Sequence, residues 1–158
     1  MPGLEDLYRE IILDHYRAPR NRGELPVPPA HKAEGFNPLC GDEVVVYLDV
    51  DGDTVRDVKI GGQGCSISQA STSMMSAAVK GKSVAEARQL IRAFKALMSI
   101  HESKLEGEAD GEDLRADLEG VRLGDLEALQ GVVKFPVRIK CATLAWNTLQ
   151  QGLDEAEA

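Results

Sequence analysis

The sequence predicts an α+β domain, a small antiparallel sheet of about three strands with helices packed on one face. Valine-rich segments with strand-like alternation are confined to residues 43–60. A turn-forming Asp51-Gly52-Asp53 splits that region in two, and apolar residues at helical spacing fill the chain on either side.

Leu4, Leu7, Ile11 and Ile12 share one helical stripe, with Glu5 and Asp6 in the first turn where the helix dipole favours them, so residues 4–16 form an amphipathic helix. Pro19 ends it. Asn21 to Lys32, holding Pro26, Pro28 and Pro29, reads as an extended connection over the surface. Glu43–Val50 and Thr54–Ile60 then form a β-hairpin. Val44, Val46, Leu48 and Val50 fall on one face of the first strand, whereas Val55 falls opposite Val58 and Ile60 in the second. A third strand is expected around Gly62–Ser66.

Helical spacing resumes at Ile67, with Ala70, Met74 and Ala77 or Ala78 on its stripe, and Gly81 supplies a stop. Ser83-Val84-Ala85-Glu86 is a capping box; it opens a helix whose Val84, Ala87, Leu90, Ile91, Phe94 and Met98 face inward. Glu102–Gly120 is acidic, carries Gly107 and Gly111, and lacks sustained periodicity, which marks a surface insertion. A short helix is expected around Gly124–Val132. The last helix starts near Pro136 and runs toward Leu153, with Val137, Cys141, Leu144 and Thr148 on one stripe.

At 158 residues the chain buries a core that needs no disulfide staples, and it reads as one domain. A net charge of -8 argues against a general affinity for nucleic acid and favours a basic protein partner. The sequence lacks an apolar run of about 20 residues, and the Met1 segment has neither a positive nor an apolar leader region. The expectation is a cytoplasmic protein with no membrane partner. In a reducing compartment three cysteines are free thiols, metal ligands or reactive thiolates.

Those cysteines, Cys40, Cys65 and Cys141, are separated by 24 and 75 residues, so a shared site must be assembled by the fold. Cys40-Gly41-Asp42 places a thiolate and a carboxylate two residues apart on a bendable turn, a set that suits a divalent metal. A partly buried Cys beside a turn-capping Asp would read the same way. Gly61-Gly62-Gln63-Gly64 before Cys65 is more informative, because it permits close backbone approach where a strand feeds a helix. Cys65 then stands at a helix N-terminus, where the dipole and free N–H groups stabilise a thiolate. The spacing fits neither common phosphate-loop pattern. Cys141 reads either as a small core residue or as a thiolate favoured by the neighbouring cations Arg138 and Lys140.

His15, His31 and His101 form no ligand cluster in sequence and read as structural. Ser66, Ser68, Ser71, Ser73 and Ser76 come without a nucleophile elbow or a Ser-His-Asp order, and read as cap and helix-surface residues. Met74 and Met75 read as core filler.

Four segments together resemble the IscU-type iron-sulfur cluster assembly proteins, and within them the SufU-like branch. They are His15-Tyr16-Arg17 through Pro19-Arg20-Asn21-Arg22-Gly23, Asn37-Pro38-Leu39-Cys40-Gly41-Asp42, Gly64-Cys65-Ser66-Ile67-Ser68-Gln69-Ala70-Ser71, and Val137-Arg138-Ile139-Lys140-Cys141. The resemblance covers nearly the whole chain. It implies that Cys40, Asp42, Cys65 and Cys141 converge as ligands of zinc, or of iron or a [2Fe-2S] cluster, with Arg138 and Lys140 beside them. Thiolates at ~2.3 Å and a carboxylate near ~2 Å make a tetrahedral zinc site, and thiolates equally hold iron-sulfur clusters. Scaffold-type members carry a His before the third Cys, where this chain has Lys140; a protonated Lys cannot ligate, which leaves Asp42 as fourth ligand. Residues 95–120 resemble an insertion of the SufU-like branch. That branch implies a zinc-dependent sulfur acceptor working with a cysteine desulfurase, with Cys40 accepting the sulfur and further cluster assembly proteins or apoproteins receiving it. The competing expectations are a scaffold that builds and transfers a [2Fe-2S] cluster, and a purely structural zinc.

Overall fold

Valine-rich strands and flanking helices appear where the periodicity puts them, with one strand added. The computed structural model describes residues 2–27, 30–38, 41–106, 126, 128–129 and 136–157. Helix α1 (Pro2–Arg17) precedes strands β1 (His31–Asn37), β2 (Asp42–Asp51) and β3 (Thr54–Gln63); helices α2 (Ser66–Val79), α3 (Val84–Glu106) and α4 (Pro136–Glu157) follow. The strands form one antiparallel sheet in the order β1-β2-β3.

The third strand is β1, not the expected segment around Gly62–Ser66. Gly61 to Gln63 simply extend β3, and Ser66 already begins α2. β1 reads His-Lys-Ala-Glu-Gly-Phe-Asn, with no β-branched residue; its pairing with the valine-rich β2 makes it a strand, so Lys32 belongs to the sheet rather than to the connection. Gly35 lets β1 press against α4, since a Cβ there would lie 2.0 Å from Thr148 Oγ1.

Val55 also differs from expectation, because it is buried together with Val58 and Ile60. Asp49 pairs with Asp57 while Val50 pairs with Val55, so Arg56 is the extra residue of a β-bulge that returns Val55 to the inner face. Arg56 itself bonds Asp49 at 2.6 Å.

The inner sheet face, with Val44, Val46, Leu48 and Ile60, shares one core with Phe94 of α3 and Trp146, Leu149 and Leu153 of α4. The Phe94 and Trp146 rings stack with centroids 4.6 Å apart at an interplanar angle of 16°. Leu126, Ala128 and Leu129 enter this core as short 3₁₀ turns; the rest of the helix expected over 124–132 lies outside the described residues. Ser83 Oγ accepts the Glu86 N–H at 3.0 Å, so the capping box is made as expected. α3 continues to Glu106, which makes the first residues of the acidic stretch helical, and 107–125 lie outside the described residues. No helix among the described residues is long and apolar enough to cross a membrane.

The serines of α2 overturn their expected surface placement. Ser68, Ser71, Ser73 and Ser76 are fully buried, because α2 packs against α1 and α4 while also touching the sheet and α3. Small hydroxyls allow helices to approach closely and bond across the gap. Ser71 Oγ donates to Ala142 O at 2.6 Å and accepts from Trp146 Nε1 at 3.2 Å. Ser73 Oγ accepts the Arg20 N–H and hydrogen-bonds His15 Nδ1, both at 2.8 Å. His15 is therefore structural, as read from the sequence, and anchors α1 on α2. Met74 and Met75 are buried core residues.

Candidate metal centre

Asp42, the first residue of β2, is fully buried although it is a carboxylate. Burial of that kind requires compensating partners. One is the Cys65 backbone N–H, which Asp42 Oδ1 accepts at 2.9 Å. Cys65 is the N-cap of α2, with extended backbone (φ -69, ψ 166), and its Sγ accepts the Ser68 N–H at 3.4 Å. A thiol thus occupies the place where Ser or Asp usually satisfies a helix's first free N–H groups, and it remains exposed to solvent.

The glycines before Cys65 are required by space. A Cβ at Gly64 would lie 2.4 Å from Asp42 Oδ1, and one at Gly62 would lie 2.1 Å from Glu43 O. Gly62 also has φ +109, which side-chain-bearing residues rarely adopt. Arg22 reaches over from the α1–β1 connection and donates to Gly62 O at 3.1 Å.

Cys141 lies in the second turn of α4 and is 2% exposed. It is a core residue, one of its two sequence readings, and its Sγ also lies within 4.8 Å of the donor atoms of Asp42 and Cys65. Asn37 Nδ2, at the end of β1, donates toward Cys141 Sγ at 4.0 Å. The Asn37 carbonyl accepts the Gly41 N–H at 2.8 Å, closing the turn between β1 and β2, and Gly41 has φ +71. Arg138 and Lys140 have exposed side chains on the same helix.

One carboxylate oxygen of Asp42, Cys65 Sγ and Cys141 Sγ all lie within 4.8 Å of one another, and Cys65 Sγ is 3.9 Å from Asp42 Oδ2. A tetrahedral zinc site with ~2.3 Å thiolate bonds has ligand-to-ligand edges of ~3.8 Å. The three side chains thus stand near the spacing such an ion needs. Two thiols and a carboxylate, one of them solvent-open, are a donor set that fits zinc and also iron. Cys40 lies outside the described residues, between Asn37 and Gly41 in the sequence. Asn37 escaped the sequence reading as a site residue, since an Asn before Pro signals only a turn; nothing local shows its amide reaching a cysteine 104 positions away.

A family model of the NifU-like N terminal domain matches residues 7–142, which include Asp42, Cys65 and Cys141. The chain belongs to the NifU-like N-terminal domain family. This family member is 43% identical over 98% of its length to the zinc-dependent sulfurtransferase SufU of Bacillus subtilis (strain 168), covering 94% of that protein. It is 38% identical over 95% of its length to the iron-sulfur cluster assembly scaffold protein IscU of Streptococcus pyogenes serotype M1, covering 84% of it. A crystal structure of a candidate scaffold protein for the SUF system from Fervidobacterium islandicum AW-1 superposes with a TM-score of 0.74 at 34% identity, covering 96% of this NifU-like chain and 99% of that one.

Proposed function

We propose that this protein is an iron-sulfur cluster assembly protein that binds zinc and accepts persulfide sulfur from a cysteine desulfurase. The observation that carries the reading is the convergence of Asp42, Cys65 and Cys141 from three separate elements. Cys40 completes the set as fourth ligand and sulfur acceptor. Similarity to a protein named zinc-dependent sulfurtransferase supports the zinc and the transfer chemistry.

Bound zinc would keep the cysteines deprotonated at neutral pH. The chain's own residues divide the remaining work. Cys65 is held by the start of α2 and Cys141 by the core, whereas Cys40 precedes Gly41 in the sequence, whose φ is +71. The Cys40 thiolate attacks the terminal sulfur of the desulfurase persulfide, a new S–S bond forms on Cys40, and the desulfurase cysteine leaves as a thiolate. Asp42, already tied to the Cys65 N–H, keeps its carboxylate in place throughout.

Metal analysis of protein purified without added metal, together with uptake of labelled sulfur from a desulfurase, tests this reading. The expected result is bound zinc and label on Cys40, with Cys40→Ser abolishing uptake. Normal uptake and normal desulfurase stimulation by Cys40→Ser would overturn it.

A second reading, a scaffold holding a [2Fe-2S] cluster, is favoured by the similarity to proteins named as scaffolds. Anaerobic reconstitution with iron and sulfide tests it. A stable visible chromophore, strengthened in Asp42→Ala, supports the scaffold; its absence counts against it.

A further inference from the structure

Each described cysteine of the centre faces an N–H group. For Cys65 it is the backbone N–H of Ser68 at 3.4 Å, a consequence of capping a helix. For Cys141 it is the side-chain amide of Asn37 at 4.0 Å, which comes from a different element. Asn37 is 7% exposed and Cys141 2%, so water does not substitute freely for that amide. Asn37 also pairs with Asp42 across the β1–β2 ladder, and its carbonyl holds Gly41 at 2.8 Å. One residue therefore touches Cys141 with its side chain, bonds the Gly41 N–H with its backbone, and sits beside Asp42 in the sheet.

We propose that Asn37 is a positioning residue whose amide N–H fixes Cys141 as a permanent thiolate ligand while its carbonyl holds the Gly41 N–H beside Asp42. An N–H directed at a thiolate draws electron density from sulfur, which steadies the ligand and makes it a poorer nucleophile. A sulfur acceptor needs the reverse. The amide thus marks Cys141 as a cysteine that stays on the ion, so the inference deepens the sulfur-acceptor reading and rests on it.

The test replaces the amide without emptying its space. Asn37→Leu keeps the branched shape and removes the donor; Asn37→Ala is the second variant should leucine prevent folding, with Trp146 emission and helical circular dichroism reporting the fold. Both are loaded with cobalt(II), whose thiolate charge-transfer band reads electron density on sulfur, and zinc affinity is measured by competition with a chromophoric chelator. The expected outcome is a folded variant whose band moves to longer wavelength and whose zinc affinity falls roughly 10- to 100-fold. An unmoved band overturns the proposal, whether affinity is retained or lost, because packing alone would weaken binding without changing the sulfur's electrons. Labelled-sulfur uptake by the unmodified protein judges the acceptor reading separately from this band.

Discussion

Asp42 Oδ1 accepts the Cys65 N–H at 2.9 Å, tying the first residue of β2 to the cap of α2. Removing that carboxylate leaves the part-buried Cys65 N–H without its partner and takes one donor from the centre. Asp42→Ala is expected to lower stability by about 1–3 kcal/mol and to weaken zinc binding, read by denaturant unfolding and chelator competition. Unchanged zinc affinity would exclude Asp42 from the centre.

Gly64→Ala attacks the same contact from the other side. Its Cβ would meet Asp42 Oδ1 at 2.4 Å, so the carboxylate or the loop must shift. Overpacking of this kind costs about 1–3 kcal/mol, and the displaced carboxylate should lower zinc affinity as well. Wild-type affinity in Gly64→Ala would show that the loop adjusts without moving Asp42.

Ser73→Ala should separate stability from metal binding. It removes the acceptor of the Arg20 N–H and the partner of His15 Nδ1, at a cost of about 1–3 kcal/mol. Zinc affinity should stay at the wild-type level, since neither group reaches the centre. Trp146, the single tryptophan, follows the unfolding.

Chelation should leave the protein folded. The core joining the sheet to α2, α3 and α4 is built of apolar side chains from all of these elements. Removing zinc should therefore lower the melting temperature while far-ultraviolet circular dichroism at 25 °C keeps its helical signal. Loss of that signal on chelation would make the ion structural.

Acid should loosen the α1 end first. The Arg20 guanidinium, hydrogen-bonded to Asp14, holds the Asp14 carboxyl below its ordinary value. A depressed folded value gives stabilisation that is complete above the ordinary carboxylate range and is lost as pH falls through the folded value. Asp14→Asn should therefore flatten the stability-versus-pH curve on the acid side; an unchanged slope would assign acid sensitivity elsewhere. The effect is small, because the pair is exposed.

Elements whose own residues carry the pattern were legible in the sequence: the β2–β3 hairpin from its valines and Asp-Gly-Asp turn, α3 from its capping box, α4 from Pro136. β1 was hidden, because its strand character comes from a partner rather than from its residues. The buried serines were hidden for a related reason. Periodicity finds a helix with one buried stripe, and α2 has neighbours on several sides. In the centre, Cys65 was legible from its glycines and helix start. The Asp42 bond to Cys65 and the Asn37 contact with Cys141 were not, since each joins residues that only the fold brings together.

That the donors come from the start of β2, the cap of α2 and the second turn of α4 has a consequence for the order of events in the cell. An unfolded chain holds only Cys40 and Asp42 close together, with Cys65 and Cys141 far along the sequence, so a nascent polypeptide competes poorly for scarce ions. On the proposed metal site, loading would wait for a finished tertiary structure, and most of the binding free energy would then reinforce the native state. On that reading, acquiring the ion would certify that folding has succeeded.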